Sequence, residues 1–199
     1  MTSASTTTTG ERTLKRCCGS SVGVIITDDQ QRVLMVTRGW FPHGIAPVAG
    51  HVYDAHTDVV DALSAEVKEE VGLTVTSHRR IGRGHLPNLC ASLPAEPRPG
   101  HYWWVYRATA TGTLTPAADE TKGAAWYTRA QVRALADRTL AHARGEVTED
   151  EFLAAPGLEA VWIRLLADAG LLEATHAELA LARTLYTAAP TEYWLGGRR

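Results

Sequence analysis

The stretch from Pro47 to Leu73, PVAGHVYDAHTDVVDALSAEVKEEVGL, decides the architecture of this chain. Its second half has aliphatic residues at spacings of three and four, which predicts a single amphipathic helix. These aliphatic residues are Val60, Leu63, Val67 and Val71. Thr57 or Asp58 can cap the start of the helix, and Gly72 can end it.

Three carboxylates, Glu66, Glu69 and Glu70, lie near the C-terminal end of this predicted helix. Like charges four residues apart destabilise a helix by roughly 0.2–0.5 kcal/mol per pair, because they share one face. The helix dipole also disfavours anions at a C-terminal end. A divalent cation would relieve this repulsion, and oxygen ligands suit Mg²⁺ or Mn²⁺. The pattern of charges alone leaves a solvated helix face as the alternative.

The surroundings of the three glutamates resemble the signature of the Nudix hydrolases. In that signature a glycine and a glutamate precede R-E-U-x-E-E-x-G-U, in which U is aliphatic. Gly50 takes the place of the first glycine, and the segment 66–73, EVKEEVGL, matches the end of the signature. The resemblance implies a strand, loop and helix that hold Mg²⁺ against a diphosphate. It also implies an α/β fold, an α/β/α sandwich around a mixed β-sheet, here with a C-terminal helical extension.

The chain departs from the signature at three points. Ala65 stands where the signature has arginine, and His56 stands where it has its first glutamate. One residue is inserted between Gly50 and Gly72. These departures bear on catalytic rate more than on fold.

The resemblance assigns roles to four acidic residues. It makes Glu69 and Glu70 metal ligands, and Glu66 a metal ligand or a base. Glu120, in the loop before a late tryptophan-containing strand, matches an acidic position that joins the metal site or acts as the general base, with Asp119 as the second choice. His56 is a further candidate base, because the imidazole pKa lies near neutrality. The predicted catalytic residues are Glu66, Glu69, Glu120 and His56.

Four other residues are predicted to contact the substrate. Arg38, at the end of a predicted strand, offers a guanidinium to phosphate. Trp40 offers an indole on which a base can stack. His51 flanks the carboxylate helix and can contact a phosphate or a water. Trp104 lies on one face of the predicted strand His101–Thr111. This face either lines the pocket or packs in the core.

The rest of the chain suggests three segments: a disordered tail at 1–12, a Nudix-like catalytic domain at 13–139 and a C-terminal helical extension at 140–199. Within the second segment, Ser21–Thr27 and Arg32–Arg38 are predicted strands of one hairpin. The proline-rich stretch Gly82–Gly100 is predicted as a long loop that forms a lid or a specificity wall.

Helices are predicted at Ala130–Ala136, Leu158–Leu172 and Glu173–Ala188, with a polar connector at Leu140–Glu151. The apolar stripe of the helix at Leu158–Leu172 must be buried against the core or against another subunit. A homodimer is therefore one possibility.

Composition narrows the class of protein. The formal net charge is −2, so the composition does not indicate a basic surface for binding nucleic acid. No apolar run is long enough to span a membrane. The Ser/Thr-rich start lacks an apolar core, so no signal peptide is predicted. Cys17, Cys18 and Cys90 include no C-x-x-C pair, and the eight histidines show no recurrent spacing. The cysteines are expected to be structural thiols of a cytoplasmic protein.

These observations favour a Mg²⁺- or Mn²⁺-dependent hydrolase. Its substrate would be a small molecule in which a nucleoside diphosphate is linked to another moiety, cleaved at the phosphoanhydride bond. The alternative is a non-hydrolytic Nudix-like domain that binds a nucleotide or a protein partner. A third possibility is another metal-dependent reaction of a diphosphate compound, such as isomerisation.

Overall fold

A computed structural model describes residues 14–194 of the chain. Its strands are β1 (Ser20–Ile26), β2 (Val33–Arg38), β3 (Ile45–Ala46), β4 (Val48–His51), β5 (Thr74–Leu86), β6 (His101–Thr111) and β7 (Thr121–Tyr127). Its helices are α1 (Val59–Val71), α2 (Arg129–Ala143), α3 (Glu149–Ala154), α4 (Ala160–Asp168) and α5 (His176–Tyr186). The predicted tail at 1–12 lies outside the described residues.

The strands form two sheets, ordered β4-β1-β6-β5 and β3-β2-β7. β1 pairs antiparallel with β4 and parallel with β6, so the larger sheet is mixed. β1 is buried along its whole length, because it lies inside the sheet and both of its faces are covered. The predicted mixed sheet is confirmed.

The predicted hairpin of β1 and β2 is wrong. β2 pairs with β3 and β7 in the smaller sheet, and a single isolated bridge, Thr27 to Val33, links the two segments. A short turn permits a hairpin but does not require one. β1 is apolar on both faces, and its neighbours β4 and β6 extend the sheet on either side of it.

Helix α1 covers one face of the larger sheet. The Asp58 carboxylate accepts hydrogen bonds from the backbone N–H groups of Val60 and Asp61, and Gly72 ends the helix with a left-handed φ of 74°. The helix buries Ala62, Leu63, Val67 and Val71 against β1, β2 and β6. Val60 is 42% exposed, and therefore does not belong to the buried stripe that the spacing predicted.

The C-terminal helices cover the opposite face. Trp162 of α4 is fully buried, and a Cβ atom at Gly23 of β1 would lie 2.7 Å from its ring. A glycine is therefore needed there to let the indole reach the sheet. Helices α2, α4 and α5 share one core with Ile25, Trp103 and Val105 of the sheet. The architecture is the predicted α/β/α sandwich.

The apolar stripe of α4 is thus buried within its own chain, which removes the observation that suggested a homodimer. Helix α2 continues to Ala143, and α3 occupies part of the predicted connector. The boundary at 139/140 stays a prediction, although α2 runs through it. Within residues 14–194 no helix is both long and apolar enough to cross a bilayer.

Strand β5 continues to Leu86, so it includes the first five residues of the stretch that was predicted as a loop from Gly82. The proline-rich loop is accordingly shorter than predicted and spans residues 87–100. It returns the chain to His101 at the start of β6.

Candidate active site

Glu66 reaches back from α1 to the end of β4. A Cβ atom at Gly50 would lie 1.7 Å from Oε1 of Glu66, so only glycine lets this carboxylate approach the strand. The first position of the Nudix-like signature therefore requires glycine, because any larger residue there would collide with the Glu66 side chain.

Glu70 lies one turn further along the helix and is half-buried beside Ala49, with its Oε2 atom shielded from solvent. A hydrogen bond from the Ala49 backbone lowers the pKa of Glu70, but burial outweighs it and, together with the nearby Glu66 carboxylate, raises that pKa well above its ordinary value. Among the described residues, Oε2 of Glu70 has no hydrogen-bond partner. A buried carboxylate oxygen without a partner is costly, and a bound cation would satisfy it.

Burial also raises the pKa of Glu66, to about 7. The neighbouring carboxylates of Glu69 and Glu120 contribute to this rise in pKa, whereas His56 opposes it. Glu69 itself is exposed on α1. Carboxylate oxygens supplied by one helix turn are a donor set suited to a hard divalent ion, so the residues present fit Mg²⁺ or Mn²⁺.

His56 lies beside this carboxylate cluster. Its Nε2 atom is 3.5 Å from Oε1 of Glu66, and its Nδ1 atom is 3.9 Å from Oδ2 of Asp61. When protonated, the imidazole places a positive charge next to Glu66. It can supply part of what an arginine at position 65 would supply.

Glu120, Arg38 and Trp40 come together in a small cavity of about 140 Å³ beside Glu70. The remaining lining residues are Val36, Ala49 and Thr121. Burial raises the pKa of Glu120, and the charges of Glu69 and Asp119 add to the effect. The structure therefore gathers residues from β2, β4, α1 and the start of β7 around one polar space.

Arg38 is held at the end of β2. Its Nε atom donates to the Pro42 carbonyl at 2.7 Å and lies 3.5 Å from Oε2 of Glu159. Glu159 is buried, which raises its pKa, while the Arg38 charge lowers it. Sequence reasoning missed Glu159, because nothing in the local sequence brings position 159 next to Arg38.

A larger cavity of about 270 Å³ adjoins the small one and shares Arg38, Trp40 and Ala49 with it. Four aromatic residues line this larger cavity: Trp40, Phe41, Trp103 and Trp194. Asn88 to Ser92 of the proline-rich loop form another part of its wall. Of these aromatic residues, only Trp40 was a sequence candidate.

The side chains of the other two substrate candidates are engaged by protein groups. His51 lines the larger cavity, but its ring nitrogens face Asp54, Cys17 and His101. The Trp104 ring packs against Tyr53 and Tyr102 and is not among the residues lining either cavity. A substrate contact for these two residues stays a prediction.

Comparison with known proteins identifies the family of the chain. A model of the NUDIX domain matches residues 19–150. No curated protein matches the chain. Among solved structures, a NUDIX hydrolase from Nitrosomonas europaea is similar at 20% identity and a TM-score of 0.46, over 58% of this chain and 76% of that one.

Two further structures are similar at the same level. A NUDIX-family hydrolase from Clostridium perfringens is 21% identical, with a TM-score of 0.45, over 57% of this chain and 83% of that one. The NUDIX domain of Shewanella oneidensis NrtR, solved with ADP ribose, is 14% identical, with a TM-score of 0.46, over 56% of this chain and 73% of that one. These likenesses are too distant to carry an argument, so the assignment rests on the domain match and the glutamate helix. The chain therefore belongs to the Nudix family and is an enzyme of the pyrophosphohydrolase kind.

Proposed function

We propose that the protein is a Mg²⁺- or Mn²⁺-dependent hydrolase of a nucleoside diphosphate linked to a further group. The observation that carries this proposal is the buried Glu70 carboxylate, whose Oε2 has no partner among the described residues and which lies beside the Glu66 charge. Two half-buried carboxylates one helix turn apart repel each other unless a proton or a cation intervenes. The small cavity beside Glu70 leaves room for such a cation and for part of a diphosphate.

Glu66, Glu69 and Glu70 would hold the ion. When bound, a divalent ion neutralises the non-bridging phosphate oxygens and lowers the pKa of a water. Arg38, which lines both cavities, would bind and orient the diphosphate. Its hydrogen bond to Pro42 and its proximity to Glu159 restrict it to that position.

Glu120 is the residue that we propose as the proton acceptor. Its carboxyl lines the small cavity, and burial shifts its pKa upward toward the range in which a general base works well. Glu66 is less suited to this role, because Gly50 and His56 tie it to the ion site. His56 would instead act as a positioning residue for the Glu66 carboxylate.

The larger cavity would take the nucleoside. Its tryptophan and phenylalanine side chains offer apolar faces to a base, next to the guanidinium that would hold the phosphates. A net charge of −2 favours a small-molecule substrate over a nucleic acid. The three cysteines form no disulfide, which supports a reducing, cytoplasmic location.

The test is a substrate screen with the full chain. Wild type is incubated with Mg²⁺ and a panel of nucleoside diphosphates linked to sugars, nucleosides or phosphate, and the products are separated by chromatography. We expect cleavage of at least one compound between its phosphates, and no cleavage when Mg²⁺ and Mn²⁺ are omitted. Binding of Mg²⁺ and nucleotide without turnover across the panel would instead support the non-hydrolytic alternative. Rearranged products that release no nucleotide would support isomerisation.

A further inference from the structure

Four potential metal ligands from distant parts of the chain meet at the end of β4. They are Cys17, His51, Cys90 and His101, and their ligand atoms all lie within 4.8 Å of one another. Cys17 precedes β1, His51 ends β4, Cys90 lies in the proline-rich loop and His101 begins β6. The Nudix glutamates are not members of this group, which we name the Cys/His cluster.

The distances among Cys17, His51 and His101 are close to those of tetrahedral coordination. Nε2 of His51 lies 3.2 Å from Nε2 of His101, and Sγ of Cys17 lies 3.4 Å and 3.1 Å from these two atoms, respectively. A zinc ion with ordinary bond lengths holds its ligands about 3.4 Å apart for two nitrogens and about 3.6 Å apart for nitrogen and sulfur. Only small shifts would be needed to accommodate the ion.

The outer hydrogen bonds orient both histidines for metal binding. Nδ1 of His101 donates to the Asn88 carbonyl at 2.9 Å, and Nδ1 of His51 lies 2.9 Å from the Asp54 carboxylate. A carbonyl and a carboxylate both accept, so in its neutral form each ring carries its proton on Nδ1 and turns the Nε2 lone pair inward. Partners of this kind accompany most histidines that bind a metal.

The remaining contacts support the same interpretation. Lys15 donates to Asp54 at 2.8 Å and holds that carboxylate in place. The backbone N–H of Gly19 donates to Sγ of Cys17 at 3.3 Å, an arrangement that stabilises a thiolate. Cys17 and His101 are buried. Two inward-facing lone pairs and two thiols so close together need either shared protons or a cation.

We propose that the Cys/His cluster binds one zinc ion. Two sulfurs and two imidazoles form a set that selects Zn²⁺ over Mg²⁺ or Mn²⁺, because thiolates are soft ligands. Four protein ligands fill the tetrahedron, so the ion is structural and leaves no position for substrate. It ties the segment before β1 and the proline-rich loop to the sheet. The loop residues that line the larger cavity are thereby held in place.

A second group, Cys18 with His51 and Asp54, is also close enough to hold an ion. It is the weaker candidate, because Asp54 already pairs with both Lys15 and Nδ1 of His51. Cys18 also has its own partner, with Sγ 3.1 Å from the Ser20 hydroxyl. Cys18 therefore provides a matched control for Cys90.

The test measures zinc in the full chain, purified without a metal-affinity tag into chelator-free buffer that contains excess Mg²⁺. Mass spectrometry should find about one zinc ion per wild-type chain, because the four ligands together form a single tetrahedral site. Cys90→Ser and His101→Asn should each lose most of it, whereas Cys18→Ser should keep it. Glu70→Gln should also keep its zinc, which separates this site from the Nudix carboxylates and from any failure of the proposed hydrolase.

Cobalt substitution tests the ligands even if a variant does not fold. Wild type loaded with Co²⁺ should show intense visible bands of tetrahedral geometry and a thiolate charge-transfer band, both lost on adding Zn²⁺. Zinc-free wild type with three titratable thiols would overturn the proposal. So would weak octahedral cobalt bands, or zinc that is lost with Cys18→Ser and kept with Cys90→Ser.

Discussion

The two candidate metal sites lie at the same end of the molecule, but the chain builds them in opposite ways. The Nudix glutamates come from one helix, within five consecutive residues, and meet the sheet at Gly50. The Cys/His cluster comes from four segments, and its members lie between positions 17 and 101. His51 follows Gly50 directly, so β4 supplies one contact to each site. Helix periodicity makes the first site visible in the sequence, whereas only the tertiary fold assembles the second.

The largest difference between the two sites should follow from removing the charge of one Nudix glutamate. Glu70→Gln should lower turnover by about a thousandfold, because a bound metal contributes several kcal/mol to transition-state stabilisation. The melting temperature should stay the same or rise, since the variant loses a buried charge. Steady-state kinetics and thermal unfolding measure the two effects.

The matched control is Glu173→Gln, the same chemical change at an exposed residue before α5. It should leave turnover unchanged. A Glu70→Gln enzyme that unfolds easily and keeps full activity would show that this carboxylate supports the fold and not the reaction.

The second prediction concerns the Cys/His cluster alone. Asp54→Asn should weaken zinc binding by about 10- to 100-fold, because the partner that orients His51 is weakened. Competition with a colorimetric zinc chelator measures the affinity. Asp29→Asn, in the exposed turn after β1, should leave it unchanged. Equal zinc affinity in wild type and Asp54→Asn would mean that Asp54 does not position His51 for an ion.

A third prediction tests whether His56 replaces the missing arginine. His56→Ala should lower turnover roughly tenfold, the effect of losing a hydrogen bond to a charged group. Ala65→Arg in the same background should restore part of the rate. Kinetics of both single variants and of the double variant give the coupling between the two positions.

His176→Ala, at the exposed start of α5, is the control for this series. Additive effects of His56→Ala and Ala65→Arg on turnover would show that the two side chains act independently, and that His56 does not replace the arginine.

The smallest expected effect is a pH dependence of stability in protein that holds no Mg²⁺. Burial raises the pKa of Glu66 from 4.5 to about 7, so the folded state binds more protons than the unfolded state between these values. The free energy of unfolding should therefore fall as pH rises from 4.5 to 7, and the melting temperature should drop by roughly 5 °C.

Glu66→Gln should flatten this slope, and Mg²⁺ should raise the melting temperature most above pH 7, where the carboxylate is ionised. Thermal unfolding in chelator-free buffer, with zinc retained, measures both. An identical slope in wild type and Glu66→Gln would assign the pH dependence to another group.

Much of the catalytic half was predictable because its determinants are local. Asp58, Gly72 and the Glu66–Glu70 spacing are read within single helix turns, and each has the predicted place in the structure. Arg38 and Trp40 were predicted to contact the substrate and Glu120 to take part in catalysis, and the three line one cavity. A strand end and a loop near a recognised signature were enough to suggest these roles.

The rest depended on contacts between distant segments. The hairpin prediction failed because adjacency in sequence does not decide which strands pair. Glu159 could not be assigned to Arg38, because five strands and three helices lie between them in the sequence. The larger cavity shows the same limit, since Trp103 and Trp194 meet there only after folding.

By itself, the sequence determined the glutamate helix, its caps and the glycine it packs against, because these interactions span three or four residues or follow a known signature. Tertiary structure alone decided the partner of Arg38, the burial of α4 within its own chain and the meeting of Cys17, His51, Cys90 and His101. Side-chain positions at such separations depend on how the sheets and helices pack. No short-range pattern in the residues records that packing.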